Sequence, residues 1–222
     1  MKYEENILEV AGLEPDYLGF IFYEKSPRNF DGDIPQLPES IKKVGVFVDA
    51  PLNQIVVNVC KYNLDVVQLH GNETPEYCSS LKEIELSKLV GNEEIESNFE
   101  PYRFKTIKVF SIKDHFDFDE LKPYEGIVDA FLFDTKGKEK GGNGYTFDWS
   151  VLKDYPSTTP FILSGGIGVD EVTSLLSFLD KPASKYLYGI DVNSKFEDQP
   201  GLKNIEKLQQ FKNLLNINSR EG

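Results

Sequence analysis

Residues Pro160–Ser194, PFILSGGIGVDEVTSLLSFLDKPASKYLYGIDVNS, read as strand, glycine turn, helix and strand in immediate succession. Pro160–Ser164 is a short apolar run that stops at Ser164-Gly165-Gly166-Ile167-Gly168, a turn whose glycines let backbone N–H groups approach an anion. Val172, Leu175, Leu176 and Leu179 then recur at helical spacing. A second run, Tyr186–Ile190, ends in the polar stretch Asp191-Val192-Asn193-Ser194. Two strands separated by a helix are a parallel βαβ unit.

Outward from this unit, five more apolar runs fit strands: Tyr17–Tyr23, Lys43–Val48, Val66–His70, Phe104–Phe110 and Ala130–Phe133. They are dense in Val, Ile, Phe and Leu with little strict alternation, as strands buried on both faces must be. Between them lie amphipathic segments. Leu52, Ile55, Val56, Val59 and Cys60 form a stripe after Pro51, and Thr74-Pro75 reads as the start of another helix. A last helix carries Leu202, Ile205, Leu208, Phe211 and Leu215, followed by a polar tail, 216–222, expected to fray. Glu83–Arg103 is long and acidic for a connection and is expected to be a peripheral insertion within a single domain spanning residues 1–222.

The strand count is seven against eight helical segments, because Glu4–Leu13 already has helical character ahead of the first strand. An open doubly wound sheet and a barrel with a gap both fit that count.

Composition narrows the function classes. The 222 residues carry 37 acidic against 24 basic side chains, a net charge of -13. Nucleic acid and anionic membrane both need a basic footprint, so neither is an expected partner. The same balance is what solubility alone would require, and a locally positive pocket for an anionic small molecule is compatible with it. Two cysteines without metal-type spacing, and no apolar run near the membrane-spanning length, predict a cytoplasmic protein without a disulfide framework. With only His70 and His115 in the chain, no His-rich metal site can be assembled.

In a parallel barrel, chemistry sits at the C-terminal ends of strands, with phosphate taken by the loops after the last two. Gly165, Gly166, Gly189 and Asn193 are therefore the phosphate-binding candidates. Asp134 ends the run AFLF and is the candidate general acid or base, and the glycine-rich segment behind it has the composition of a lid. Arg28 follows GFIFY and suits bidentate contact with a carboxylate or phosphate. Gln68 and His70 end another strand. A tight turn, a helix-capping Asp, a surface Arg and a polar rim are the plain structural alternatives at these positions. His115 reads as a loop or helix-start residue, and Cys60 and Cys78 as packing residues on helices.

Taken in order, GFIFYEKSPR, VGVFVD, VQLHGNE, GGNGYTFDW, LSGGI and GIDVNSKFEDQPGLKN resemble the phosphoribosylanthranilate isomerase family of tryptophan biosynthesis, from about Glu5 to Phe211. The resemblance implies a (β/α)₈ TIM barrel, which removes the open-sheet alternative. It implies an Amadori rearrangement of N-(5-phosphoribosyl)anthranilate, with no metal or organic cofactor. Asp134 would be the general acid, Arg28 would hold the anthranilate carboxylate, and Asp191 would meet the ribose hydroxyls. The family's general base is a Cys in a Cys-Gly motif that ends the first strand. Here Met1–Ile7 resembles the segment just after that motif, so the barrel is expected to have its first strand missing or incomplete and its turnover impaired. A start upstream of Met1 and a natural short form are the two readings of that absence. Ser194-Lys195-Phe196 also departs from the Ser-Gly common there.

Three rivals remain at this stage. A pentose-phosphate epimerase would need more histidines, and indole-glycerol-phosphate synthase would need strand-end Lys and Glu residues, for which Lys108 is the one arguable candidate. The third is a catalytically silent phosphate-binding barrel acting as sensor or scaffold.

Overall fold

All seven apolar runs form strands in the computed structural model of the chain, which describes residues 1–84, 104–112, 115–135 and 149–218. They are β1 Tyr17–Ile21, β2 Lys42–Phe47, β3 Val66–Leu69, β4 Lys105–Ile112, β5 Ala130–Thr135, β6 Phe161–Ser164 and β7 Leu187–Ile190. Each pairs in parallel with the next, so spatial order equals sequence order. The expected Glu83–Arg103 insertion lies outside the described residues from 85 to 103, as does the glycine-rich segment from 136 to 148.

The sheet curls until its ends meet without pairing. The hydroxyls of Tyr17 on β1 and Tyr188 on β7 are 2.6 Å apart, while no ladder joins the two strands. The amino nitrogen of Met1 donates to Gly19 O on the free edge of β1 at 2.5 Å. An eighth strand would complete the barrel at this seam. Among the described residues the architecture is thus a TIM-type barrel of seven strands with a seam between β1 and β7.

Side-chain alternation assigns the two faces. Val44, Val66, Ile107, Val109, Ala130 and Leu132 form one buried cluster, with Tyr17, Val46 and Ile162 against it, and this is the barrel interior. The residues between them, such as Phe131, Phe133 and Phe161, point the other way into a larger core beneath the helices and are fully buried. The Phe133 and Phe161 rings lie 5.5 Å apart, and Tyr155 covers Phe161 at 4.9 Å. Burying each such side chain stabilises the fold by about 1.5–3 kcal/mol.

The helical layer departs from the periodicity reading in several places. Five α-helices are present among the described residues: α1 Glu4–Ala11, α2 Leu52–Tyr62, α3 Pro75–Lys82, α4 Val172–Leu179 and α5 Ile205–Asn218. The connection after β4 instead carries a 3-10 helix, Phe118–Tyr124, which contains Pro123, and Trp149–Asp154 after β5 is likewise 3-10. Pro cannot sit in an α-helix interior without losing a hydrogen bond. On α2 the buried stripe is Ile55, Val56, Val59 and Tyr62, so Cys60 is exposed rather than packed. On α4 Phe178 is buried and Leu179 is 41% exposed, because the stripe rotates by about 100° per residue. Thr74 caps α3 as expected, its hydroxyl accepting from Tyr77 N at 3.2 Å. Leu202 belongs not to α5 but to a hairpin, β8 Glu197–Gln199 and β9 Leu202–Lys203, turned at Pro200-Gly201. Gly201 has φ +86°, a conformation open to glycine at little steric penalty. The helix α5 continues through Asn218, and residues 219–222 lie outside the described set.

Candidate active site

The inner face carries apolar residues along most of the barrel and turns polar at the C-terminal rim. On β5 the inward positions run Ala130, Leu132, Asp134, so the period of two delivers the carboxylate to the top of the interior. Its neighbours in register are Ser111 on β4 and Ser164 on β6. Asp134 is partly buried, and its Oδ2 lies 3.4 Å from Nε2 of His70, which follows β3. Gln68, two residues earlier on the same face, is buried between the β2 and β4 ladders. Phe161 and Leu163 point outward, leaving Ser164 at the inner rim of β6. Its hydroxyl donates to Oδ2 of Asp191 at 2.7 Å, which orients the carboxylate beyond β7.

Behind Ser164 the chain takes two consecutive left-handed residues, Gly165 at φ +86° and Gly166 at φ +67°. Such a glycine turn ahead of a helix exposes N–H groups in the way an anion cradle requires. Gly189 lies inside β7 in register with Ile162, and Asn193 lies on the loop after β7. Lys195, the departure from the Ser-Gly pattern, lies along this cradle. Its ammonium is 2.5 Å from Oε1 of Glu171, and a Cβ on Gly168 would sit 2.7 Å from its Cδ.

Arg28 approaches from the loop after β1. Its Nε and Nη2 both donate to the Glu197 carboxylate, at 2.8 and 2.6 Å to Oε2. Glu197 Oε1 in turn accepts from Lys203 Nζ at 2.9 Å and from Gly201 N at 3.1 Å. Lys203 Nζ also donates to Asn193 Oδ1 at 2.5 Å. Burial alone would raise the Glu197 pKa, yet the hydrogen bonds from Arg28 and Lys203 hold it down at about 2. Sequence reasoning missed Glu197, Lys203 and Asn6. For Glu197 and Lys203 the signal was the polar string flanking Pro200-Gly201, which has no helical or strand period to mark burial; Asn6 is a buried position on α1 that looks like an ordinary polar helix residue.

The remaining titratable candidates are placed elsewhere. Lys108 faces outward between Ile107 and Val109, not into the barrel, and its ammonium is sealed against Glu73 at 3.1 Å and Gly71 O at 2.8 Å. It is no strand-tip catalytic lysine. His115 is exposed. Cys78 is buried on α3, where desolvation pushes its thiol up to about 11, and Cys60 lies on α2. No group of three or more acidic, His or Cys side chains suited to a metal occurs among the described residues. No helix there is long and apolar enough to cross a membrane.

The N-(5'phosphoribosyl)anthranilate (PRA) isomerase family model matches residues 1–213. This chain belongs to the PRA isomerase family. A PRA isomerase from Parabacteroides distasonis is 41% identical over 219 residues, covering 95% of this chain and 88% of the relative. One from Phocaeicola vulgatus is 37% identical and covers 97% and 94%. Among solved structures, the PRA isomerase of Thermotoga maritima superposes with a TM-score of 0.73 at 27% identity, covering 97% of this chain and 95% of that one. A 3-hexulose-6-phosphate synthase, 10% identical with a TM-score of 0.56, shares the fold alone. As a PRA isomerase family member the chain is an isomerase of tryptophan biosynthesis with a TIM-type barrel fold, seven of whose strands lie among the described residues.

Proposed function

We propose that the substrate is N-(5'-phosphoribosyl)anthranilate and that the rim residues divide an Amadori rearrangement among them. The observation that carries this reading is the position of Asp134, at the inner tip of β5 between His70 and the Ser164–Asp191 pair. Asp134 protonates the furanose ring oxygen. The C1′–O bond breaks toward that oxygen, and the anthranilate nitrogen lone pair forms the Schiff base. Loss of the C2′ proton then gives the enolamine, which tautomerises to the ketone. Arg28 meets the anthranilate carboxylate and Asp191 the ribose hydroxyls. Backbone groups around Gly165, Gly166, Gly189 and Asn193 receive the phosphate. Gln68 and His70 line the space between. No cofactor is assigned, and cytoplasmic residence is assigned on two free cysteines.

The family resemblance implies a Cys base for the C2′ proton, which we place at the seam between β1 and β7; Cys60 on α2 and Cys78 on α3 do not stand at a strand end. A strand ending in Cys-Gly and supplied ahead of residue 1 is expected to raise turnover by about 10²–10⁴, the usual worth of general-base catalysis. Equal rates for the extended chain and the 222-residue chain would overturn this assignment.

The test of Asp134 is Asp134→Asn in the extended chain. Turnover is expected to fall by about 10²-fold or more while product affinity stays within a few-fold. Unchanged turnover would remove Asp134 from the chemistry. Product binding without turnover in the unmodified extended chain would favour the silent phosphate-binding barrel.

A further inference from the structure

The two ends of the proposed site, the guanidinium that meets a carboxylate and the loop that meets a phosphate, are joined by one continuous network. Arg28 is 25% exposed at its side chain, whereas Glu197 and Lys203 are 4% and 9% exposed. Glu197 fixes two nitrogens of the guanidinium in a bidentate plane. Lys203 ties the same carboxylate to Asn193 on the loop after β7. The hairpin that bears both is itself anchored, because Asn6 on α1 accepts from Lys203 N at 2.7 Å and donates to Lys203 O at 2.9 Å. A planar guanidinium held at both Nε and Nη2 has little freedom to swing.

We propose that Glu197 and Lys203 are positioning residues that fix the separation between the carboxylate-binding Arg28 and the phosphate-binding loop at Asn193, so that one ligand bearing both anions spans them. This rests on the reading of Arg28 and the loop given above. Neither residue touches substrate. Their effect appears only for a ligand that uses both ends at once, since a group misplaced by about 1 Å weakens such a fit by up to about 10²-fold.

The test compares three probes on the unmodified chain, Glu197→Gln and Lys203→Met: reduced 1-(o-carboxyphenylamino)-1-deoxyribulose 5-phosphate, inorganic phosphate, and anthranilate. In both variants the two-anion probe is expected to lose about 10- to 100-fold in affinity, while phosphate alone changes within a few-fold. Glu197→Asp, which retains the charge, and Lys203→Arg are expected to recover part of the loss. If either charge-removing variant fails to fold, Asn193→Ala cuts the link from Lys203 to the loop and is expected to give a smaller loss in the same direction. Equal two-anion affinity in the folded variants, or parallel weakening of all three probes, would overturn the positioning role. Absence of two-anion binding in the unmodified chain would overturn the reading of the site itself.

Discussion

At the scale of single residues, Glu197 shows how geometry decides protonation. Its carboxylate sits among Arg28, Lys203 and Gly201 N, and its folded pKa of about 2 lies below the ordinary 4.5. A depressed carboxylate pKa means the folded state binds fewer protons than the unfolded one. The stabilisation is therefore complete above about pH 4.5 and is lost as pH falls through the window down to about 2. Melting temperature measured against pH should show the unmodified chain well above Glu197→Gln at pH 6, with the gap closing as pH drops through that window. A gap independent of pH would mean the carboxylate charge carries no stability. Asp134 and His70 were legible in the sequence because they end apolar runs. Glu197, Lys203 and Asn6 were not, since a polar residue sealed by ion pairing or, for Asn6, by hydrogen bonds to the hairpin backbone resembles a solvated one until the hairpin is folded.

At the scale of elements, the strands were legible because a parallel strand covered on both faces must be apolar almost throughout, as YLGFI and AFLF are. The helices were less so. The connection after β4, which no periodicity marked, holds a 3-10 segment containing Pro123, and the stripe on α2 ends at Tyr62 rather than Cys60 because burial follows the helix's contact with the sheet. The β8–β9 hairpin is too short and polar to carry a period. Lys108 was legible as an oddity in an apolar strand, and the structure gives it a local task. With Glu73 it closes the rim behind β3 and β4, Glu73 also accepting from Asp49 N at 2.9 Å and Gly71 N at 3.0 Å. Removing one partner of a buried pair leaves the other uncompensated, so Lys108→Ala should lower unfolding free energy by about 3–5 kcal/mol in denaturant titration. A loss below about 1 kcal/mol would show that the pair behaves as a surface one.

At the scale of the whole molecule, the seven-stranded sheet curls far enough for Tyr17 and Tyr188 to touch, yet leaves a seam between β1 and β7. Everything proposed for catalysis lies at one end of that barrel, with the seam opening directly beside it. Catalysis there requires one ligand to bridge Arg28, Asp134 and the Gly165-Gly166 turn at once. The direct measurement is a crystal structure of the chain with reduced 1-(o-carboxyphenylamino)-1-deoxyribulose 5-phosphate bound. The phosphate is expected on the backbone around Gly165, Gly166 and Asn193, the carboxylate on Arg28, and the sugar chain within hydrogen-bond reach of Asp134 and Asp191. Phosphate seated on Arg28, or a ligand bound away from the C-terminal rim, would contradict this placement.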